Sequence, residues 1–118
     1  MRPPALAYAA VLAVIPTLAH AETRCGWIDN PTPANWWLTD GTGEWIIATQ
    51  GGAQAGGMDL MPDFTAGEWV ETNGSYGYGC TCMEVATDKA EMRILKITGV
   101  TQKPLAACRS DKALPSRE

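Results

Sequence analysis

Four cysteines, a long acidic stretch and a missing imidazole set the chemistry open to this chain. The cysteines are Cys25, Cys80, Cys82 and Cys108. The one histidine, His20, lies in an N-terminal segment expected to be removed. Ser-His-Asp and Cys-His catalysis, and histidine-based zinc or copper sites, therefore have no imidazole to use. Oxidised cysteines leave no thiolate nucleophile either. A pair of carboxylates flanking a glycosidic bond stays open, with Asp40, Glu44, Asp59, Asp63, Glu68 and Glu71 as candidates, but nothing in their spacing selects a pair. The expectation is a chain with no catalytic residue, no cofactor and no metal. Asp40-Gly41-Thr42-Gly43-Glu44 puts hard oxygen ligands beside a glycine turn, as calcium would want, but it lacks the full EF-hand series and reads as a hairpin turn.

Aromatic side chains carry more information. Five tryptophans, Trp27, Trp36, Trp37, Trp45 and Trp69, fall in the first half of the chain that remains after the leader. Most are expected to build the core of a small domain. Trp36 and Trp37 are adjacent, however, and adjacent side chains on a strand face opposite ways. One of the two is expected to be exposed or covered by a loop. Near a glycine-rich segment, such a ring stacks on a sugar or anchors a protein partner. The candidate binding surface is accordingly Trp36, Trp37, Gln50, Gly51, Gly52 and Gln54.

The elements that hold these residues begin with a leader. Arg2, the apolar stretch from Ala5 to Leu18 and the small-x-small Ala19-His20-Ala21 form a signal peptide over residues 1–21, cut before Glu22. The apolar stretch falls short of the roughly 20 residues that span a bilayer. Residues 22–118 then make one disulfide-stapled domain, periplasmic or secreted, with no membrane span after cleavage. Four cysteines in an exported chain read as two disulfides. Cys80 and Cys82 share a strand face without the geometry to bond each other easily, so one is expected to join Cys25 and the other Cys108.

Along this domain, Cys25 to Pro33 reads as an ordered arm because its two prolines forbid a helix. Trp36–Thr39 and Glu44–Thr49 form a hairpin around Asp40-Gly41-Thr42-Gly43. Residues 50–57, with four glycines, read as a mobile loop, and Met58 to Gly67 as irregular chain laid over the core. Asn73-Gly74 marks a second hairpin. Pairing Thr72 with Ser75 sets Trp69 opposite Tyr78 and gathers Trp69, Tyr76, Tyr78, Cys80 and Cys82 on one core-facing side, with Gly77 and Gly79 on the other. Those glycines call for close packing against their backbone, by a strand or a ligand. A last strand covers Met92–Ile97, Pro104 starts a short helical turn through Cys108, and the tail beyond Leu114 is expected to fray. The fold class is mainly β: a small antiparallel sheet or partly open barrel in a single domain, with two disulfides and a short C-terminal helical turn.

Charge is uneven. From Glu22 to Asp88 there are ten acids and only Arg24 as a base, whereas Lys89 to Glu118 holds seven bases and three acids. A basic tail folding onto an acidic surface accounts for this, and so does an acidic face that captures a basic partner. Nucleic acid is not expected as a ligand for a chain of this sign.

Several blocks resemble a known family: Cys25-Gly26-Trp27, Asn30-Pro31-Thr32-Pro33, Asn35-Trp36-Trp37-Leu38, Gly43-Glu44-Trp45, Gln50-Gly51-Gly52, Tyr76-Gly77-Tyr78-Gly79-Cys80-Thr81-Cys82 and Pro104-Leu105-Ala106-Ala107-Cys108-Arg109. Together they are similar to the small secreted bacterial proteins grouped as domain of unknown function 4087. The resemblance implies a Gram-negative source and a single exported domain, and it brings no activity or catalytic residue. The functional expectation is a non-catalytic binding module for a protein or envelope glycan, in concrete form an inhibitor of a cell-wall hydrolase. A carboxylate-dependent hydrolase and a structural subunit of an envelope assembly are the alternatives.

Overall fold

A computed structural model describes residues 21–117; the expected signal peptide, apart from Ala21, lies outside them. Six strands form one sheet: β1 (Glu22–Thr32), β2 (Asn35–Asp40), β3 (Gly43–Ala48), β4 (Trp69–Asn73), β5 (Tyr76–Asp88) and β6 (Arg93–Lys103), followed by the helix α1 (Leu105–Arg109). The sheet order is β1-β2-β3-β6-β5-β4, and β1 also pairs with β5. The sheet is thus partly ring-like without being a barrel. The fold is the expected mainly β one, with two disulfides and a short C-terminal helix.

The segment read as an arm is part of a long strand within the sheet. β1 is paired along both edges, with β2 on one side and over nine residue pairs with β5 on the other. Its prolines and the residues around them end the strand rather than preclude it, because Pro31 sits at its last turn of pleat, where a missing N–H costs least. Pleat alternation then splits the molecule into two cores. Ile28 of β1, Leu38 of β2, Trp45 and Ile47 of β3, Met83 and Val85 of β5, and Ile94 and Ile97 of β6 pack on the inner side. Trp27, Cys80, Leu105 and Cys108 form a second, smaller cluster on the outer side, against Val70, Tyr78 and Leu114.

The Asn73-Gly74 hairpin forms, with Gly74 at φ 60, but its register differs by one residue from the expected one. Trp69 lies opposite Gly79, Val70 opposite Tyr78 and Glu71 opposite Gly77, with an irregularity between Glu71 and Asn73. That one extra residue moves Trp69 off the cystine face. The cystine-lined side of β5 packs the smaller core, and the glycine side faces the larger one. The close packing the glycines demanded is supplied from within: a side chain at Gly77 would collide with the Val70 carbonyl, and a Cβ at Gly79 would sit 2.8 Å from Trp69 Cε3.

The glycine-rich loop is also pinned rather than mobile. Beyond the single parallel pair Ile46 and Arg93, strands β3 and β6 diverge, and residues 54–56 fill the gap. Ala55 N–H donates to the Ile47 carbonyl (2.9 Å), Gly56 N–H to the Leu95 carbonyl (2.9 Å), and Ile97 N–H to the Gly56 carbonyl (2.8 Å). Ala55 is buried. Backbone groups at a gap in a sheet need partners, and small residues let this segment come close enough to provide them.

Disulfides join Cys25 to Cys82 and Cys80 to Cys108. The first links directly opposed residues of β1 and β5, and the second ties α1 to the outer face of β5. The last strand runs to Lys103, six residues past the expected end. The tail is anchored: the Trp27 indole N–H donates to the Pro115 carbonyl (2.9 Å), the Tyr78 hydroxyl to the Arg117 carbonyl (3.1 Å), and Arg117 pairs with Asp29.

Candidate functional site

The rings of the inner face come to the surface in one place. β2 turns Trp36 inward opposite Ala48 of β3. The connection from β3 to β4 carries Phe64 into the core on a single 3-10 turn, Phe64–Ala66, capped by Asp63, whose Oδ1 accepts from Thr65 N–H (3.1 Å) and the Thr65 hydroxyl (2.5 Å). Phe64 lies between two tryptophans, 5.9 Å from the tilted Trp36 ring and 5.7 Å from the nearly parallel Trp69 ring. Trp69 rests on Gly79, which has no side chain to hold it off, and its indole N–H donates to the Ser75 carbonyl (3.1 Å). A cleft of about 190 Å³ opens over these rings, with Asn30, Asp63 and Tyr76 also on its wall. That is below the roughly 300–1,000 Å³ of a drug-sized pocket, so it has room for about one ring or one side chain. Trp36, Trp69 and Tyr76 are half-buried. The Trp36 indole N–H and the Tyr76 hydroxyl have no hydrogen-bond partner among the described residues.

One acid, Asp63, lies on the wall of the cleft, and the chain that supplies most of that wall is acidic in sequence. Of the ten acids between Glu22 and Asp88, three are held in ion pairs: Glu22 and Asp40 with Arg24, and Asp29 with Arg117. The other seven, Glu44 to Asp88, have no cation within ion-pair distance among the described residues. Asp59, Asp63, Glu68 and Glu71 all fall in the segment 58–73, of which residues 62–65 and Trp69 line the cleft, and this segment contains no base.

A family model described as a protein of unknown function, DUF4087, matches residues 19–115. The chain belongs to this family. Comparison with curated proteins and with solved structures gives no match. Family membership brings no reaction or ligand with it, so function has to be argued from the geometry. The two disulfides fit folding in an oxidising compartment, and among the described residues no helix is long and apolar enough to cross a membrane.

Of the residues picked from sequence for the family member's binding surface, Trp36 alone lines the cleft. Trp37 faces the outer side of the sheet, half-buried, opposite Asp29 and Ile46. Gln50, Gly51, Gly52 and Gln54 are exposed on the loop beside it. Gln50 N–H donates to Asn35 Oδ1 (2.8 Å), which ties that loop to the residue preceding Trp36, and Gln54 bridges to Ala48. Phe64, Trp69, Tyr76 and Asp63 were not foreseen as a group. The signal for them was the long loop through Gly67, whose length marks it as a place to look for binding, with a lone phenylalanine in its irregular part.

Of the acids considered for chemistry, Asp40 is held in a structural network. Asp40 is buried, accepting from Arg24 Nη1 (2.7 Å), Thr42 N–H (2.9 Å) and the Trp45 indole (3.1 Å), while the Arg24 guanidinium lies 3.8 Å over the Trp45 ring. Burial alone would raise the Asp40 carboxyl, but the bonds from Thr42, Arg24 and Trp45 outweigh it and hold the group below its ordinary value. Glu22 is lowered as well, chiefly by the Thr87 hydroxyl, against some desolvation. Among the described residues no three acidic or cysteine side chains gather in a way that would hold a metal ion. Asp40-Gly41-Thr42-Gly43-Glu44 is the β2–β3 turn, with Asp40 committed to Arg24.

Proposed function

We propose that this protein is a non-catalytic binding module acting outside the cytoplasm, and that the Trp36–Phe64–Trp69 cleft within its acidic frame is the face that meets the partner. The observation behind this reading is the juxtaposition of half-exposed rings, two donors without a partner among the described residues and the Asp63 carboxylate at one place, in a stretch of chain, 58–73, that holds four acids and no base. Rings supply area that is cheap to order, and the surrounding carboxylates steer an oppositely charged surface. A neutral sugar would use the rings but gain little from the acids. The charge therefore favours a basic protein, in concrete form a cell-wall-degrading hydrolase such as lysozyme, which the module would cap as an inhibitor.

The test is calorimetric titration of lysozyme into the oxidised chain, with cell-wall clearing measured in parallel. Binding should weaken at least tenfold as salt rises from about 0.01 M to about 1 M, because the screening length falls from about 30 to about 3 Å. Trp36→Ala should weaken it by about 2 kcal/mol, the scale of a central aromatic anchor. Neither binding nor slowed clearing at low salt would remove the inhibitor reading.

A further inference from the structure

The strap that follows α1 makes a specific set of polar contacts with β1 and β5. Past α1, Asp111 stabilises a turn by accepting from Ala113 N–H (2.9 Å), and residues 114–117 then run over the outer face of β1 and β5. Both guanidinium Nη atoms of Arg117 donate to the two carboxylate oxygens of Asp29, at 2.6 Å each. The same guanidinium carbon sits 5.1 Å from the Tyr78 ring centre and 5.8 Å from that of Trp27. Those two rings meet edge to face at 5.5 Å. Trp27 and Tyr78 also donate to the carbonyls of Pro115 and Arg117, two residues apart.

Three residues that are neighbours in the sheet thus read two alternate carbonyls and one guanidinium. Asp29 is opposite Tyr78 in the register, and Trp27 lies one pleat away on the same side. The polar contacts involve main chain and arginine only, so they do not depend on which residue stands at Ser116. A buried carboxylate is costly without a cation. Asp29 is 7% exposed, and its ion-pair partner is Arg117. The two-pronged pairing suits arginine and not lysine.

We infer that the Trp27–Asp29–Tyr78 surface is a binding site for an arginine-bearing extended segment of a partner protein, and that Arg117 is its tethered occupant, displaced by exchange. This site is distinct from the Trp36 cleft and does not depend on the reading of that cleft.

The probe is the acetylated peptide of residues 111–117, titrated into full-length Arg117→Ala, with the Trp27 indole N–H resonance followed by NMR. Arg117→Lys serves as a second recipient, since it keeps a cation near Asp29 if the alanine variant does not fold. Saturable binding is expected in the variant. It should be at least tenfold weaker in the unmodified chain, whose own strap competes at a high effective concentration, and at least tenfold weaker for a peptide with citrulline in place of arginine. Adding Asp29→Asn should abolish it. A folded variant that takes no peptide, or that binds the citrulline peptide equally well, overturns the inference. A concentration-dependent dimer of the unmodified chain that is lost in Arg117→Ala would overturn the partner assignment and give the site to a second copy.

Discussion

The two disulfides close loops of different length, and the structure predicts that the shorter one matters more. In the chain-entropy model, Cys25–Cys82 spans 57 residues and contributes about 4 kcal/mol, whereas Cys80–Cys108 spans 28 and contributes about 3.5 kcal/mol. Loop length alone therefore ranks the first bridge slightly ahead. Packing reverses the order. Cys25 is exposed and Cys82 half-buried, so replacing both with alanine removes little from either core. Cys80 and Cys108 are each 3% exposed and pack with Trp27 and Leu105. Removing their sulfurs should cost about 1 kcal/mol apiece in lost contact and cavity. The expected losses are about 4 kcal/mol for Cys25→Ala/Cys82→Ala and about 5.5 kcal/mol for Cys80→Ala/Cys108→Ala. Either is a large part of the roughly 5–15 kcal/mol that holds a domain together. Urea unfolding followed by tryptophan fluorescence measures the difference, which at a slope near 1 kcal/mol/M is about 1.5 M in midpoint. If the Cys25/Cys82 variant has the lower midpoint, burial of the sulfurs is not what sets the ranking.

Four further outcomes follow from the same structure. Gly77→Ala should destabilise by about 3 kcal/mol or more in thermal or urea unfolding, because the new methyl meets the Val70 carbonyl and only backbone movement can relieve it. Gly79→Ala should displace Trp69 from its place over β5, changing its fluorescence and weakening any ligand of the cleft along with stability. Asp40 is depressed in the folded state, so its stabilisation is complete above its ordinary value of 3.8 and is lost as pH falls through the lower folded value. Unfolding free energy should thus drop below about pH 4, and Asp40→Asn should flatten that drop while costing about 1–3 kcal/mol at neutral pH, because Arg24 loses one of its two carboxylate partners and keeps Glu22. Gly74→Ala, at a positive φ that alanine resists, should cost about 1 kcal/mol with the cleft unchanged.

Local chemistry was legible without the fold. Cysteine parity gave two bridges, Asn73-Gly74 and Gly41-Thr42 gave both tight turns, and Pro104 announced the short helix. These features are set by residues within a few positions of one another, where the backbone preference of each side chain decides. The register of the second hairpin was legible only to within one residue, because an irregularity between Glu71 and Asn73 turns on how Trp69 packs over Gly79 and not on the turn itself.

Sequence by itself therefore determined a stapled, mostly β chain with an acidic first part and a basic end. Tertiary structure decided where the pieces meet. Only long-range pairing makes Glu22–Thr32 a strand held along both edges, since on one edge Glu22 pairs with Val85 and Asn30 with Gly77 of β5. The same pairing converts residues 54–56 from apparent linker into the bridge between β3 and β6. It also gives the last residues a buried carboxylate to bind and brings Trp36, Phe64 and Trp69 together from three separate segments. None of these contacts lowers the energy of the segments taken alone. Each becomes favourable once the sheet curls and leaves a gap, a buried charge or a bare glycine surface to be covered, and that curl is a property of the whole set of strands.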